Sequence, residues 1–173
     1  MGGMTEVRYE PHAEDGSWSV GWTPTRSSGD SGDPGGWNSL VENDFLFYKF
    51  WADVTLMVAG VDFSRTHLPV LDFALAWAAV PTILKRQDRI DVHMSVEALT
   101  YTAVREGPQV VISSNAHGGR AVITFAEVED LVIQMVEGAF AMLYRHHPEL
   151  RRNPYLVDLT KRLAQSLCIT VAV

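Results

Sequence analysis

From Leu68 to Leu84 the chain carries a single charge, Asp72, in a run that includes Phe73, Leu75, Trp77, Val80 and Ile83. A helix apolar on every side has no solvent face, so it must be covered around most of its circumference, by its own domain or by a second chain. Pro69 suits the first turn of such a helix, where a missing N–H costs nothing, and Pro81 should end or kink it. A membrane span is a poor reading of the same run. It is short for a bilayer, has proline near both ends and holds a carboxylate inside.

A chain of 173 residues, 47% of them hydrophobic, has material for one ordinary core. The expected organisation is an N-terminal arm over 1–22, a flexible linker over 23–36 and a single domain over 37–173. The linker reading rests on Thr23 to Gly36, which is rich in Gly, Ser and Pro and has no large apolar side chain. In the arm, 7–10 and 17–22 could pair as a small hairpin, with Trp18, Val20 and Trp22 on one face docking onto the main body. The formal net charge of −7 creates a field that repels phosphate. It argues against nucleic acid and anionic membranes and favours a basic protein partner. Cys168 is the only cysteine. One chain can therefore form neither an internal disulfide nor a multi-thiolate metal site. With no basic, then apolar, leader at the N-terminus, a cytoplasmic location is expected.

Phe45 to Ala59 reads as a long, half-buried strand, with Phe50, Ala52, Val54, Leu56 and Val58 on one side and Trp51, Asp53, Thr55 and Met57 on the other. Short strands are expected over 89–94, 98–105, 109–114 and 120–125. Their brief connections make them antiparallel neighbours in a meander. Thr124 with Glu127 predicts a capping box opening an amphipathic helix from about 125 to 145, stopped by Pro148. Asn153-Pro154 opens a further helix with Leu156, Leu159, Leu163 and Leu167 on a stripe. Residues 168–173 have strand composition. The fold class is α+β, a mostly antiparallel sheet with about three helices packed on one face.

Chemistry is less legible. No two histidines stand at the i, i+4 spacing of a zinc-binding helix, so no metal and no cofactor is expected. His146 and His147, beside Arg145, read as partners of a negative helix C-terminus. Asp62, His67 and Asp72 flank the start of the apolar run and are the weak catalytic candidates. A carboxylate in apolar surroundings beside an imidazole can act as an acid–base pair, with His93 or His117 as further members. The alternative is that Asp72 lies in the first helical turn and is satisfied by the helix dipole or a backbone group. Ser113 to Arg120 offers hydroxyls, an imidazole, two glycines and a guanidinium. It joins two antiparallel strands and lacks a Walker-type Lys-Ser/Thr, so it reads as a hairpin loop. Arg145, Arg151, Arg152, Lys161 and Arg162 are basic, but the connection from Pro148 to Pro154 is no tight helix-turn-helix turn.

Three segments carry a resemblance: Val58-Ala59-Gly60-Val61-Asp62-Phe63-Ser64, Pro69-Val70-Leu71-Asp72-Phe73-Ala74, and Tyr144-Arg145-His146-His147-Pro148-Glu149-Leu150. Over residues 45–160 the layout resembles the small acidic α+β proteins of bacterial, especially actinobacterial, toxin-immunity type. The resemblance implies a non-enzymatic module that inhibits a basic toxin or enzyme, and it assigns no residue a role. The candidate binding surface read from the charges is Glu127, Glu129, Asp130 and Glu137 on the second helix with Asp53 on a strand, a set that would otherwise be a solvated face. Two alternatives are a small enzyme or ligand binder using the Asp/His cluster, and a homo-oligomeric assembly protein joined through the apolar helix and the terminal strand.

Overall fold

The structure is a computed structural model and describes residues 3–24 and 36–167. Cys168 and the expected strand over 168–173 lie outside the described residues, as does most of the linker expected over 23–36. The strands are β1 (Glu6–Pro11), β2 (Trp51–Val58), β3 (Val61–Asp62), β4 (Arg65–Pro69), β5 (Arg89–His93), β6 (Thr100–Glu106), β7 (Gln109–Ser114) and β8 (Arg120–Thr124). The α-helices are α1 (Val70–Ala78), α2 (Val80–Leu84), α3 (Phe125–His146) and α4 (Pro154–Leu167).

The meander forms as expected, in the order β5-β6-β7-β8, but it does not make the whole sheet. A second antiparallel sheet is built on β2, flanked by β1 on one side and by β3 and β4 on the other. The fold is therefore α+β with two four-stranded sheets rather than one. Strict alternation gave β2 its two faces. Ala52, Val54, Leu56 and Val58 are buried, whereas Trp51, Asp53, Thr55 and Met57 are half-buried on the opposite side. The strand starts later than the sequence suggested, because residues 44–48 form a π-helical turn in which Lys49 N–H reaches the Asp44 carbonyl at 2.8 Å.

The N-terminal arm makes no hairpin with itself. β1 pairs with β2 along its full length, and residues 16–18 form a 3-10 turn. Trp18 is 6% exposed and Val20 98%, so the two share no face. Trp18 instead donates its indole N–H to the Trp51 carbonyl at 2.6 Å. A local hairpin would have left both tryptophans with little to pack on, whereas β2 offers an edge and a core together.

The apolar run is not one helix. It continues β4 through Leu68 and Pro69, forms α1, breaks at Ala79 and resumes as α2. Pro81 has no N–H for the Trp77 carbonyl, which takes the Ala79 N–H instead. α1 is covered from within the chain. Phe73 and Trp77 enter a core shared by both sheets and the first half of α3, while Val70, Leu71 and Ala74 enter a second core with the rest of α3 and α4. Leu75, Ala76 and Ala78 of α1 are half-buried.

The capping box is present as predicted. Thr124 Oγ1 accepts from Glu127 N–H at 3.2 Å, and the Glu127 carboxylate accepts from Thr124 N–H at 2.7 Å. Thr124→Ala should cost about 1 kcal/mol at neutral pH. The Glu127 carboxyl is held below its usual pKa, first by the Thr124 backbone N–H and then by the Thr124 hydroxyl. A depressed carboxyl stabilises the fold above the ordinary glutamate range, and that contribution is lost as pH falls through the folded value. Urea melts at neutral and at acid pH should therefore show a cost of Thr124→Ala that shrinks in acid. An equal cost at both would remove the linkage.

Candidate functional site

Asp53 and His67, read from the sequence as members of different sets, meet at the start of β2. Asp53 Oδ1 accepts from the His67 backbone N–H at 3.0 Å and from His12 Nδ1 at 2.8 Å. A carboxylate offers only acceptors, so His12 donates its Nδ1–H to Asp53. The His67 ring lies between His12, at 4.5 Å, and Trp51, at 4.4 Å. His67 reaches this position through an irregularity in the β2–β4 register between Ala52 and Val54, with φ at +60°. That left-handed conformation is costly for a residue with a Cβ, and bulges of this kind re-aim side chains. Phe50, next to Trp51, is also left-handed at φ +59°.

The surroundings hold this corner firmly. The Trp51 carbonyl accepts from His12 N–H at 3.0 Å as well as from Trp18, and Trp51 N–H donates to Asp15 at 2.6 Å. Asp15 also caps the 3-10 turn through Ser17 N–H. His12 is the residue that sequence reasoning missed. It sits in a polar turn with no motif around it, and only the β1–β2 register brings it within reach of Asp53.

Asp62, His67 and Asp72 are not joined in one site. Asp62 accepts from Ser64 N–H at 2.8 Å, and hydrogen bonds from the Ser64 side chain and backbone hold its carboxyl below the usual range. Asp72, 5% exposed in the first turn of α1, accepts from Ser95 N–H at 2.9 Å and Ser95 Oγ at 2.5 Å. It pins the β5–β6 connection to the helix, the structural role open to a buried carboxylate. His93 contacts Thr100 Oγ1 at 3.1 Å. His117 stands edge-on to Phe63, with a buried Nε2 that meets no partner among the described residues.

On α3, Glu127 is engaged in its capping box and Glu129 pairs with Lys85 at 2.7 Å, while Asp130 and Glu137 are exposed. Glu129 and Asp130 line a cleft of about 380 Å³ with Pro81, Lys85 and Ile133. His147 is buried and donates Nε2–H to the Ser17 carbonyl at 2.6 Å, and burial, then the neighbouring His147 and Arg145, hold the His146 pKa below the usual value.

Among the described residues, no group of three or more His, Cys, Asp or Glu side chains could hold a metal ion, and no helix is long and apolar enough to cross a membrane. Fold and site together define a small acidic α+β domain of two antiparallel sheets, with a histidine–aromatic corner on the outer side of one of them. No protein-family model, no curated protein and no solved structure matches this chain.

Proposed function

We propose that the protein is a non-enzymatic binding module of the immunity type, which takes a basic protein partner on an acidic surface. One observation carries this reading. The carboxylates that chemistry would need, Asp62 and Asp72, are consumed by the fold, whereas Asp130 and Glu137 on α3 are exposed and form no ion pair among the described residues. With a net charge of −7, such carboxylates favour encounter with a cation-rich surface and fix its orientation.

The test is salt-dependent capture from a lysate of the protein's own host, followed by purification of the captured protein. The doubly reversed variant Asp130→Lys/Glu137→Lys should weaken binding of a basic partner at least tenfold, mostly through slower association. A partner bound equally by both forms, or one of acidic character, would sink the proposal. The His12–Asp53 pair supports a second reading, a small-ligand binder, because it leaves an oriented imidazole Nε2 beside the exposed His67 ring. His12→Asn separates the two, abolishing ligand binding while leaving capture of the basic partner intact.

A further inference from the structure

We infer that the free edge of β8 is a groove for the C-terminal end of an extended peptide, a site that does not use Asp130 or Glu137 of α3. β8 is the last strand of its sheet, and its register with β7 runs unbroken from Gln109↔Thr124 to Ser113↔Arg120. In an antiparallel ladder, residues alternate between pairs that exchange hydrogen bonds and pairs whose N–H and C=O point away. Phe125 N–H donates to the Pro108 carbonyl at 3.2 Å, one step past the Gln109↔Thr124 pair, which fixes the phase. Arg120, Val122 and Thr124 therefore turn their backbone groups away from β7. The Thr124 N–H is already taken by Glu127, so the unused ladder positions are those of Arg120 and Val122.

These groups face a groove of about 360 Å³, bounded on its far side by Gly3, Ala59 and Val61. One end is closed. Gly119 is pressed against Val61 so tightly that a Cβ there would lie 2.4 Å from Val61 Cγ1. Gln109, Thr124 and Glu127 line the other end. A strand entering from the Thr124 end runs antiparallel to β8 and stops at the Gly119–Val61 contact, which places its terminal carboxylate beside Arg120. Arg120 is exposed, and no ion pair among the described residues takes its guanidinium. Exposed Gly118 leaves backbone open at the same end. Strand addition with carboxylate capture is an established mode of peptide recognition, in which main-chain bonds give affinity and alternate side chains give selectivity.

The register specifies the peptide. Its last residue lies opposite Arg120, and the residue two before it lies opposite Val122, which is 47% exposed. Val104, Val111 and Val122 form a row across β6, β7 and β8, so a β-branched residue extends that row. The residue four before the end lies opposite Thr124 beside the Glu127 carboxylate, where a lysine is matched in charge.

The probe is fluorescein-labelled Lys-Thr-Val-Thr-Val with a free C-terminal carboxylate, followed by fluorescence polarisation. Saturable binding is expected. It should weaken at least tenfold on amidation of the C-terminus, on Arg120→Gln, or on N-methylation of the central valine, which removes the donor to the Val122 carbonyl. Amide-shift mapping should confine the changes to 118–124 and 59–61. Absence of saturable binding, equal affinity for acid and amide peptides, or shifts on the outer face of α3 would overturn the inference. Asp130→Lys/Glu137→Lys should leave peptide affinity unchanged, so either proposal can fail without the other.

Discussion

Asn153→Ala is expected to destabilise the fold by about 3 kcal/mol, the sum of a lost helix cap and two carbonyls, one buried and one part-buried, left without a donor. The side chain is fully buried. Its Nδ2 donates to the carbonyls of Trp37 and Leu40 at 2.8 and 2.9 Å, and its Oδ1 accepts from Leu156 N–H at 3.1 Å in the first turn of α4. One residue thus starts a helix and ties residues 37–40 against it. Asn153→Asp keeps the cap but removes both donors and brings a carboxylate against two carbonyl oxygens, so it should cost at least as much as alanine. Denaturant melts of the two variants decide this. A loss near 1 kcal/mol for alanine would mean that the cap alone matters and that the two carbonyls find water.

Phe73→Ala is expected to cost about 3–5 kcal/mol, the usual range for truncating a buried aromatic in a core that cannot collapse around the void. Phe73 is fully buried and stands edge-on to Tyr9 of β1 at 6.1 Å and to Tyr101 of β6 at 6.2 Å. It is the wedge that touches both sheets, so its removal weakens their coupling as well as the local packing. Unfolding of the variant should separate into two transitions when followed by near-UV circular dichroism and by hydrogen exchange in β6 and β7. A single transition at reduced midpoint would show that α3, which reaches both cores, couples the sheets without Phe73.

Local rules were legible wherever the physics is local. The meander follows from short connections between alternating segments, the capping box from two residues three apart, and the buried face of β2 from a period of two. The apolar run was read as needing cover around most of its circumference, and most of α1 is buried, because burial follows from composition. Its division into the end of β4, α1 and α2 was not legible beyond the break expected at Pro81, since a short apolar run suits a strand or a helix equally well.

The candidate site shows the other limit. Asp53 and His67 were both singled out, but in separate roles, and His12 had no signal at all. Their meeting depends on β1 lying against β2 and on a bulge opposite Asp53, and both are long-range choices made by the packing of Tyr9, Trp18 and Phe73. By itself the sequence determined the class of fold, the periodicity of its elements, the caps and the sign of the electric field, because each depends on neighbours within a few positions or on totals over the chain. Tertiary structure alone decided that there are two sheets, which carboxylates serve the fold and which face solvent, and where a strand edge was left open. Those outcomes depend on contacts between residues far apart in the chain, whose pairing is settled only when the whole core closes.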